Sequence, residues 1–424
     1  MQASVVIPVW NGASDIEACL TALFEYSGDQ LGQVICVDNA SDDDSVERIR
    51  RFPEVTLLQQ ATNLGFAGGV NVGLDAAAGD PLILLNQDCI VRPGWLTALS
   101  AAFDSHPEIG VAGVTVLNDD GSVNHAGAEI VKPAGFGLHH TEIRNSTPYP
   151  VDYVTGAAFA LRRTVWETVG RFDEGYYPAY FEEADYCYRA RHNGFEVSYV
   201  PQSRVTHLFT SLESLRHPFR RAASQHRMRY RFVCKHFTAD ELRAFATAEL
   251  KSLTTGDYLN EVMGRAIAAR STLEGLNDIL ERRRSDLDDE LSRDLQPLLR
   301  QAFSRIARQA LAASSHLSRP RFESWDVIRD RIDALKKREY DLLRRIYFRA
   351  PDETEKESRL RRLARLLVLR PLSFLIGRDY LLLSELNTVH VARLDAGQAL
   401  SLAQNDLVEH LLGLLDLYTD YENL

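Results

Sequence analysis

The sequence predicts an α/β fold, a mainly parallel sheet with helices on both faces, joined to a second, all-helical region. Three observations lead there. Between Ser4 and Leu85, short runs that are apolar on both faces alternate with amphipathic stretches, the pattern of strands buried between helices. Each of those runs ends in polar residues or glycine. Beyond Phe237, Leu, Ala, Arg and Glu recur at helical spacings.

The elements follow in order. Ser4–Val9 reads as the first strand, and Ile16–Tyr26 as an amphipathic helix with Ser14 placed to cap it and Glu17 three residues on. Val34–Val37 is a second strand, Ser45–Phe52 a short helix, Val55–Gln59 a third strand, Asn71–Ala78 a helix and Pro81–Leu85 a fourth strand. From Pro107 to Thr155 glycine, proline and polar residues become frequent, as in loops and short antiparallel strands around a substrate. Helical patterns return at Arg163–Val169 and Glu182–Asn193, and strand-like runs at Val197–Val200 and Arg204–Val205. The helical region reads as Glu241–Leu253, Leu259–Arg284, Leu287–Ser315 and Trp325–Phe348, broken at Pro320 and Pro351. Two domains are expected, 1–237 and 238–424, and no repeat of fixed period suggests a solenoid.

Composition narrows the function classes. The 424 residues carry 48 Lys and Arg against 59 Asp and Glu, a formal charge of −11, which argues against nonspecific nucleic-acid binding as the main task. Cys19, Cys36, Cys89, Cys187 and Cys234 are scattered without a C-x-x-C pair, so neither a zinc site nor a disulfide framework is indicated. The chain enters its first strand almost at once, leaving no room for a signal peptide, and no apolar run reaches the roughly 20 residues of a spanning helix. A cytoplasmic protein is expected, at most peripheral at the inner face of a membrane.

In an open parallel sheet, ligands bind beyond the carboxyl ends of the strands. Four such ends carry polar or glycine-rich residues that would line one crevice: Trp10 and Asn11 after strand one; Asp38, Asn39 and Ser41 after strand two; Asn63, Gly65, Phe66, Ala67 and Asn71 after strand three; Asn86, Gln87 and Asp88 after strand four. Asp38 can accept a hydrogen bond from the imide N–H of uracil or thymine. The segment Gly65–Gly69 lets backbone approach a ligand closely ahead of a helix. It lacks the dinucleotide fingerprint and any Gly-Lys-Ser or Gly-Lys-Thr, which argues against a Rossmann dehydrogenase or a P-loop nucleotidase. Asp88 sits where a hard divalent cation would bridge protein and diphosphate. Glu182, Glu183 and Asp185 open a helix behind an aromatic run that includes Tyr180, more carboxylate than the helix dipole alone calls for, with Glu183 the candidate base. His207 ends another strand-like run and is a candidate metal ligand.

With these residues in view, the chain resembles the family 2 glycosyltransferases of GT-A fold, in texture the bacterial rhamnosyl- and galactofuranosyltransferase-like members. The matching pieces are Ile7-Pro8-Val9-Trp10-Asn11, Val37-Asp38-Asn39-Ala40-Ser41, Asn63 to Asn71, Leu85-Asn86-Gln87-Asp88, Thr155-Gly156-Ala157-Ala158-Phe159, Gly170-Arg171-Phe172-Asp173-Glu174, Phe181-Glu182-Glu183-Ala184-Asp185 and His207, in family order over about residues 3 to 237. The resemblance implies an inverting transfer from a nucleotide-diphosphate sugar, UDP- or dTDP-linked, to the hydroxyl of a saccharide, lipid-linked or protein acceptor, in bacterial surface polysaccharide or glycoconjugate assembly. Pro8, Trp10 and Asp38 would hold the nucleoside, Asp88 and His207 would bind Mn2+ or Mg2+, Glu183 would be the base, and Gly156, Ala157, Tyr180, Glu182 and Asp185 would face the acceptor. Two departures stand out: Asn86 replaces the first Asp of the Asp-x-Asp element, and Glu183 stands where Asp is frequent.

A nucleotidyltransferase is the competing enzyme reading, but Pro8 to Ala13 holds no basic residue for a triphosphate. An idle sugar-nucleotide-binding scaffold is the other, and the intact set Asp38, Asp88, Glu183 and His207 speaks against it. In the helical region, arginines interleave with leucines over 359–378, which suggests peripheral membrane contact or an ordinary core helix with a solvated face; a self-association role is also open to it.

Overall fold

The computed structural model describes residues 2–208, 218–253, 259–283 and 292–317. The expected helix Trp325–Phe348, the breaks at Pro320 and Pro351 and the basic segment 359–378 lie outside the described residues. The strands are β1 (Ala3–Val9), β2 (Leu31–Asp38), β3 (Val55–Gln59), β4 (Leu82–Leu85), β5 (Cys89–Val91), β6 (Ile109–Leu117), β7 (Val123–His125), β8 (Ala128–Val131), β9 (Phe136–His139), β10 (Tyr149–Pro150), β11 (Ala158–Leu161) and β12 (Glu196–His207). Through the sheet region run α1 (Ile16–Ser27), α2 (Ser45–Ile49), α3 (Gly65–Ala76), α4 (Trp95–Ser105), α5 (Arg163–Val169) and α6 (Glu182–His192). Then come α7 (Pro218–His236), α8 (Ala239–Ser252), α9 (Leu259–Glu274), α10 (Leu276–Glu281) and α11 (Ser292–Leu317).

The main sheet runs β10-β12-β6-β11-β4-β1-β2-β3, with β5 added to β12 and β7 to β6. β4, β1, β2 and β3 are parallel, as are β6 and β12, but β11 lies antiparallel between β4 and β6. The parallel strands are those that the sequence led us to expect, and β11 makes the sheet as a whole mixed, which the sequence did not point to. The difference arises in β6 and β11. Gly110 and Gly113 in β6 read as loop signals, yet each is a close-packing position: a Cβ would fall 2.6 Å from Phe195 Cβ and 2.4 Å from Val154 Cβ. Between β6 and β11, residues 118–157 add β7 and β10 at the margins of the sheet and form the separate β8–β9 hairpin, and the chain returns on the strand next to β6.

Side chains of β1 alternate between two cores. Val5, Ile7 and Val9 pack with Cys19, Leu23, Trp95 and Leu99 of α1 and α4. Val6 joins Val70 and Leu74 of α3 on the opposite face. The latter core continues without a break through Tyr186 of α6 and Phe232 of α7 to Phe245, Ala266 and Phe303 in α8, α9 and α11. The described part of 238–424 is helical, as expected. α7, which precedes that boundary, was not anticipated as a helix.

Three local expectations change. The helix expected from Asn71 begins at Gly65, because its glycines are interior packing positions: a Cβ on Gly73 would lie 2.2 Å from Val6 Cγ1. Ser14 does not cap α1; its hydroxyl donates to Asp15, the residue that precedes the helix. β12 is one strand across the irregularity at 200–204 rather than two runs. All five cysteines are buried and unpaired. Among the described residues no helix is long and apolar enough to cross a membrane.

Candidate active site

The parallel register of β1, β2 and β4 aligns Val9 with Asp38 and places the loops after all three strands at one edge of the sheet. Those loops brace one another. The backbone N–H of Trp10 donates to Gln87 Oε1 at 2.9 Å, and Gln87 Nε2 donates back to the Trp10 carbonyl at 3.2 Å. At Gly12 a Cβ would meet the Gln87 amide at 2.5 Å, so a larger residue there would push that amide off the Trp10 backbone. Asn11 takes a positive φ of 49°; its N–H donates to Ser41 Oγ and its Oδ1 accepts from the Asp42 N–H. The Trp10 ring, held by this frame, is 43% exposed at the mouth, an aromatic face available to a flat ligand. Pro8 is buried within β1 opposite Val37, beneath that mouth.

Asp38 ends β2 almost fully buried and accepts the Ser41 N–H at 3.2 Å. Asn39 donates to the Gly65 carbonyl at 3.0 Å, while its own Oδ1 is buried without a partner among the described residues. Asn63 Oδ1 accepts the Gly65 N–H at 2.8 Å, setting the entry to α3. Gly65 has φ +72°, and a Cβ there would press on the Pro178 backbone at 2.9 Å. The next residue, Phe66, donates its N–H to the Pro178 carbonyl at 2.8 Å. Ala67 is buried on α3.

The chain that leaves β4 supplies Asn86, Gln87 and Asp88. The Asn86 N–H donates to the Ala157 carbonyl at 2.9 Å, which joins this loop to Gly156. Gly156 sits between two further site residues: its Cβ would be 3.2 Å from the Phe66 ring and 4.0 Å from Glu183 Cβ. β12 runs antiparallel to β5 with His207 opposite Cys89, and so brings His207 Nε2 to 3.0 Å from Asp88 Oδ1. Cys89 Sγ lies in the same cluster. Burial, then the Asp88 carboxylate, pushes that thiol well above its usual range, and it donates to the Ala157 carbonyl, so it stays a neutral thiol. The Asp88–His207 pair is an oxygen–nitrogen donor set. It suits a Mn2+ or Mg2+ ion that keeps waters and takes its remaining ligands from substrate phosphates.

α6 carries the carboxylates. It starts after Tyr180 and Phe181, both at positive φ. Tyr180 is 36% exposed. Glu183 is half-buried, its Oε2 shielded from solvent and without a partner among the described residues. Burial pushes its carboxyl up to about 7. Glu182 is buried more deeply; burial first, and the Glu183 charge second, raise it well above the carboxylate range. A carboxyl group that titrates near neutrality is suited to accepting a proton.

Two expected site residues lie elsewhere. Asn71 is fully buried and donates to the Phe172 carbonyl and Glu174 Oε1 while accepting the Phe172 N–H, so it ties α3 to the following loop and does not face a donor. Asp185 is fully buried among Tyr176, Arg189, Lys235 and His236 and does not face an acceptor. On a helix, Glu183 and Asp185 point to different sides. The sequence reading missed His125, fully buried, whose Nε2 accepts the Thr155 N–H at 3.3 Å just before Gly156. It also missed the α7 cations, which a run rich in Arg and His disguises as a solvated surface.

Residues 4–170 match the family model described as glycosyl transferase family 2. The chain is 28% identical over 257 residues to the N-acetylglucosaminyl-diphospho-decaprenol L-rhamnosyltransferase of Mycobacterium tuberculosis, over 54% of this chain and 83% of that one. It is 26% identical over 229 residues to polypeptide N-acetylgalactosaminyltransferase 11 of Xenopus tropicalis, over 49% of this chain and 38% of that one. Among solved structures, GalNAc-T7 with UDP, GalNAc and Mn2+ aligns at a TM-score of 0.49 with 18% identity, over 70% of this chain and 57% of that one.

Proposed function

We propose that this chain, whose residues 4–170 carry the glycosyl transferase family 2 match, is a glycosyltransferase of that family and moves a hexosyl group, with inversion, from a UDP- or dTDP-sugar to a hydroxyl of a lipid-linked saccharide. The observation that carries the proposal is the placement of Glu183. A carboxylate held near neutrality lies beside Gly156 and Phe66, within the loop ring that also holds Asp38 and the Asp88–His207 pair.

The donor nucleoside would lie along Trp10, with its pyrimidine imide on Asp38 and its ribose near Asn11 and Ser41. Asn39, Asn63, Gly65, Phe66 and Ala67 would form the wall of the donor pocket. Asn86 and Gln87 brace the loop that presents Asp88. Asp88 and His207 would hold Mn2+ or Mg2+, which when bound neutralises charge on the leaving diphosphate. Glu183 takes the proton of the acceptor hydroxyl as that oxygen attacks the anomeric carbon from the face opposite the diphosphate; the glycosidic C–O bond forms as the bond to the phosphate oxygen breaks. Gly156, Ala157 and Tyr180 would border the acceptor. The similarity to a rhamnosyltransferase that the name links to a diphospho-decaprenol supports a lipid-linked acceptor and surface-glycan assembly. We further propose that 1–237 and 238–424 are two functional units, the second serving acceptor, membrane or self-association contacts from a cytoplasmic location.

A panel of dTDP-rhamnose, UDP-galactofuranose, UDP-N-acetylglucosamine and UDP-glucose tests this. With Mn2+ and a prenyl-diphosphate-linked N-acetylglucosamine acceptor, one donor should release its nucleotide and extend the acceptor, and EDTA should stop both. Full transfer in EDTA would remove the metal from the mechanism, and pyrophosphate exchange with a nucleoside triphosphate would favour the nucleotidyltransferase reading.

A further inference from the structure

The segment that delivers Glu183 is fastened at both ends by one side chain. Asp173 and Asp185 flank residues 174–184, and both are buried, with 7% and 0% exposure. The Lys235 ammonium of α7, itself 3% exposed on its side chain, lies 2.8 Å from Asp173 Oδ2 and 2.5 Å from Asp185 Oδ1. Around this bridge, Arg231 grips Asp173 through both Nε and Nη2. Arg189 and His236 hold Asp185 at 2.9 and 2.8 Å. The Arg231 guanidinium passes so close to Gly175 that a Cβ there would overlap it. One α7 turn back, Arg227 donates to the Tyr177 carbonyl. The fastened segment touches both halves of the site: Pro178 receives the Phe66 N–H on the donor side, and Tyr180 to Glu183 form the acceptor side.

We propose that Lys235 is a positioning residue for transfer, closing the 174–184 segment so that Glu183 faces the acceptor oxygen. This rests on Glu183 being the base. Lys235 touches neither substrate nor reacting atoms; it acts through Asp173 and Asp185. Arg231 offsets the charge of Asp173 and Arg189 that of Asp185, each at its own end, whereas the Lys235 ammonium contacts both carboxylates and so ties the two ends to each other. An unfastened segment would let Glu183 drift, and displacement by about 1 Å is enough to lower the rate on the order of 10²-fold.

The test compares Lys235→Met, Lys235→Arg, the charge-balanced pair Lys235→Met with Asp173→Asn, and Glu183→Gln. UDP and dTDP affinity with Mn2+, kcat and KM for transfer, and thermal unfolding are measured on each. Lys235→Met, or the balanced pair where the single variant fails to fold, should lose on the order of 10²-fold in kcat while nucleotide affinity stays within about threefold. Lys235→Arg, which keeps a cation at the bridge, should recover most of that loss. A folded Lys235→Met or balanced variant with parental kcat, alongside an inactive Glu183→Gln, overturns the positioning role and leaves the base assignment standing. Parental transfer by Glu183→Gln overturns both. Loss of nucleotide affinity in step with kcat, or failure to fold in both backgrounds, makes Lys235 a stability residue and also overturns the proposal.

Discussion

Glu183 concentrates the tension of the site in one carboxyl group. As the proposed base it must be ionised, yet burial lifts it to about 7. Transfer should therefore rise with pH through about 7, and Glu183→Gln should abolish that limb while lowering kcat on the order of 10²–10⁴-fold. The same shift sets a stability trend. A carboxyl group raised in the folded state favours the protonated form, so its contribution is complete below its unfolded value near 4.5 and is lost as pH rises through about 7. Glu183→Gln should then melt above the parent at pH 8 and close to it at pH 5; calorimetry at both values checks this, and equal melting at pH 8 would contradict it. At this scale the sequence was informative about strand ends and blind to depth. Asp38, Asp88 and His207 stand at or just after strand ends that chain direction brings to one edge, and Glu183 stands at the head of α6 beside Gly156. Asn71 and Asp185 belong to the same motifs, but only packing reveals that they turn inward.

Among elements, α3 shows how a glycine-rich stretch can be a helix rather than a loop. Its Gly69 lies against the Asn39 side chain and its Gly73 against Val6 and Val37, so the helix lies flush on β1 and β2. Gly73→Ala forces a methyl into that contact and should destabilise the protein by about 1–3 kcal/mol, read as a lower midpoint in urea at unchanged slope. An unchanged midpoint would mean that the helix can lift without cost. The same confusion hid β6, whose glycines mark close approach, whereas β1, β2 and β4 were plain because apolar runs buried on both faces have few alternative readings. α7 escaped for the opposite reason. Arg229, Arg231, Lys235 and His236 are buried by pairing with Glu249, Asp173 and Asp185, and pairing across the fold leaves no trace in local periodicity.

For the molecule as a whole, the Asp173 and Asp185 pairs join α7 to the sheet region, the Arg229–Glu249 pair joins α7 to α8, and both junctions are sensitive to acid. Burial would raise Glu249, but Arg229 outweighs it and draws the carboxyl down to about 2. Lys235 and its neighbours likewise hold Asp185 well below, and Asp173 below, the usual range against the pull of burial. Groups lowered on folding contribute above their unfolded values and lose that contribution as pH falls through the folded ones. Stability should decline from about pH 4.5 towards pH 2, and Glu249→Gln should cost about 3–5 kcal/mol at pH 7 with the difference closing near pH 2. Denaturant titrations at the two pH values measure it, and a pH-independent difference would contradict the assignment.

The excursion between β6 and β11 has a consequence for how such a chain diversifies. Because residues 118–157 connect adjacent strands, the exposed stretch 141–147 within them can change in length and composition while the pairing of β4, β1 and β2 stays as it is. The insertion meets the crevice at the His125 contact to Thr155 and the turn into Gly156. That exposed stretch is free to be rewritten, and a lineage could exchange one clientele for another without disturbing the strand ends that line the crevice.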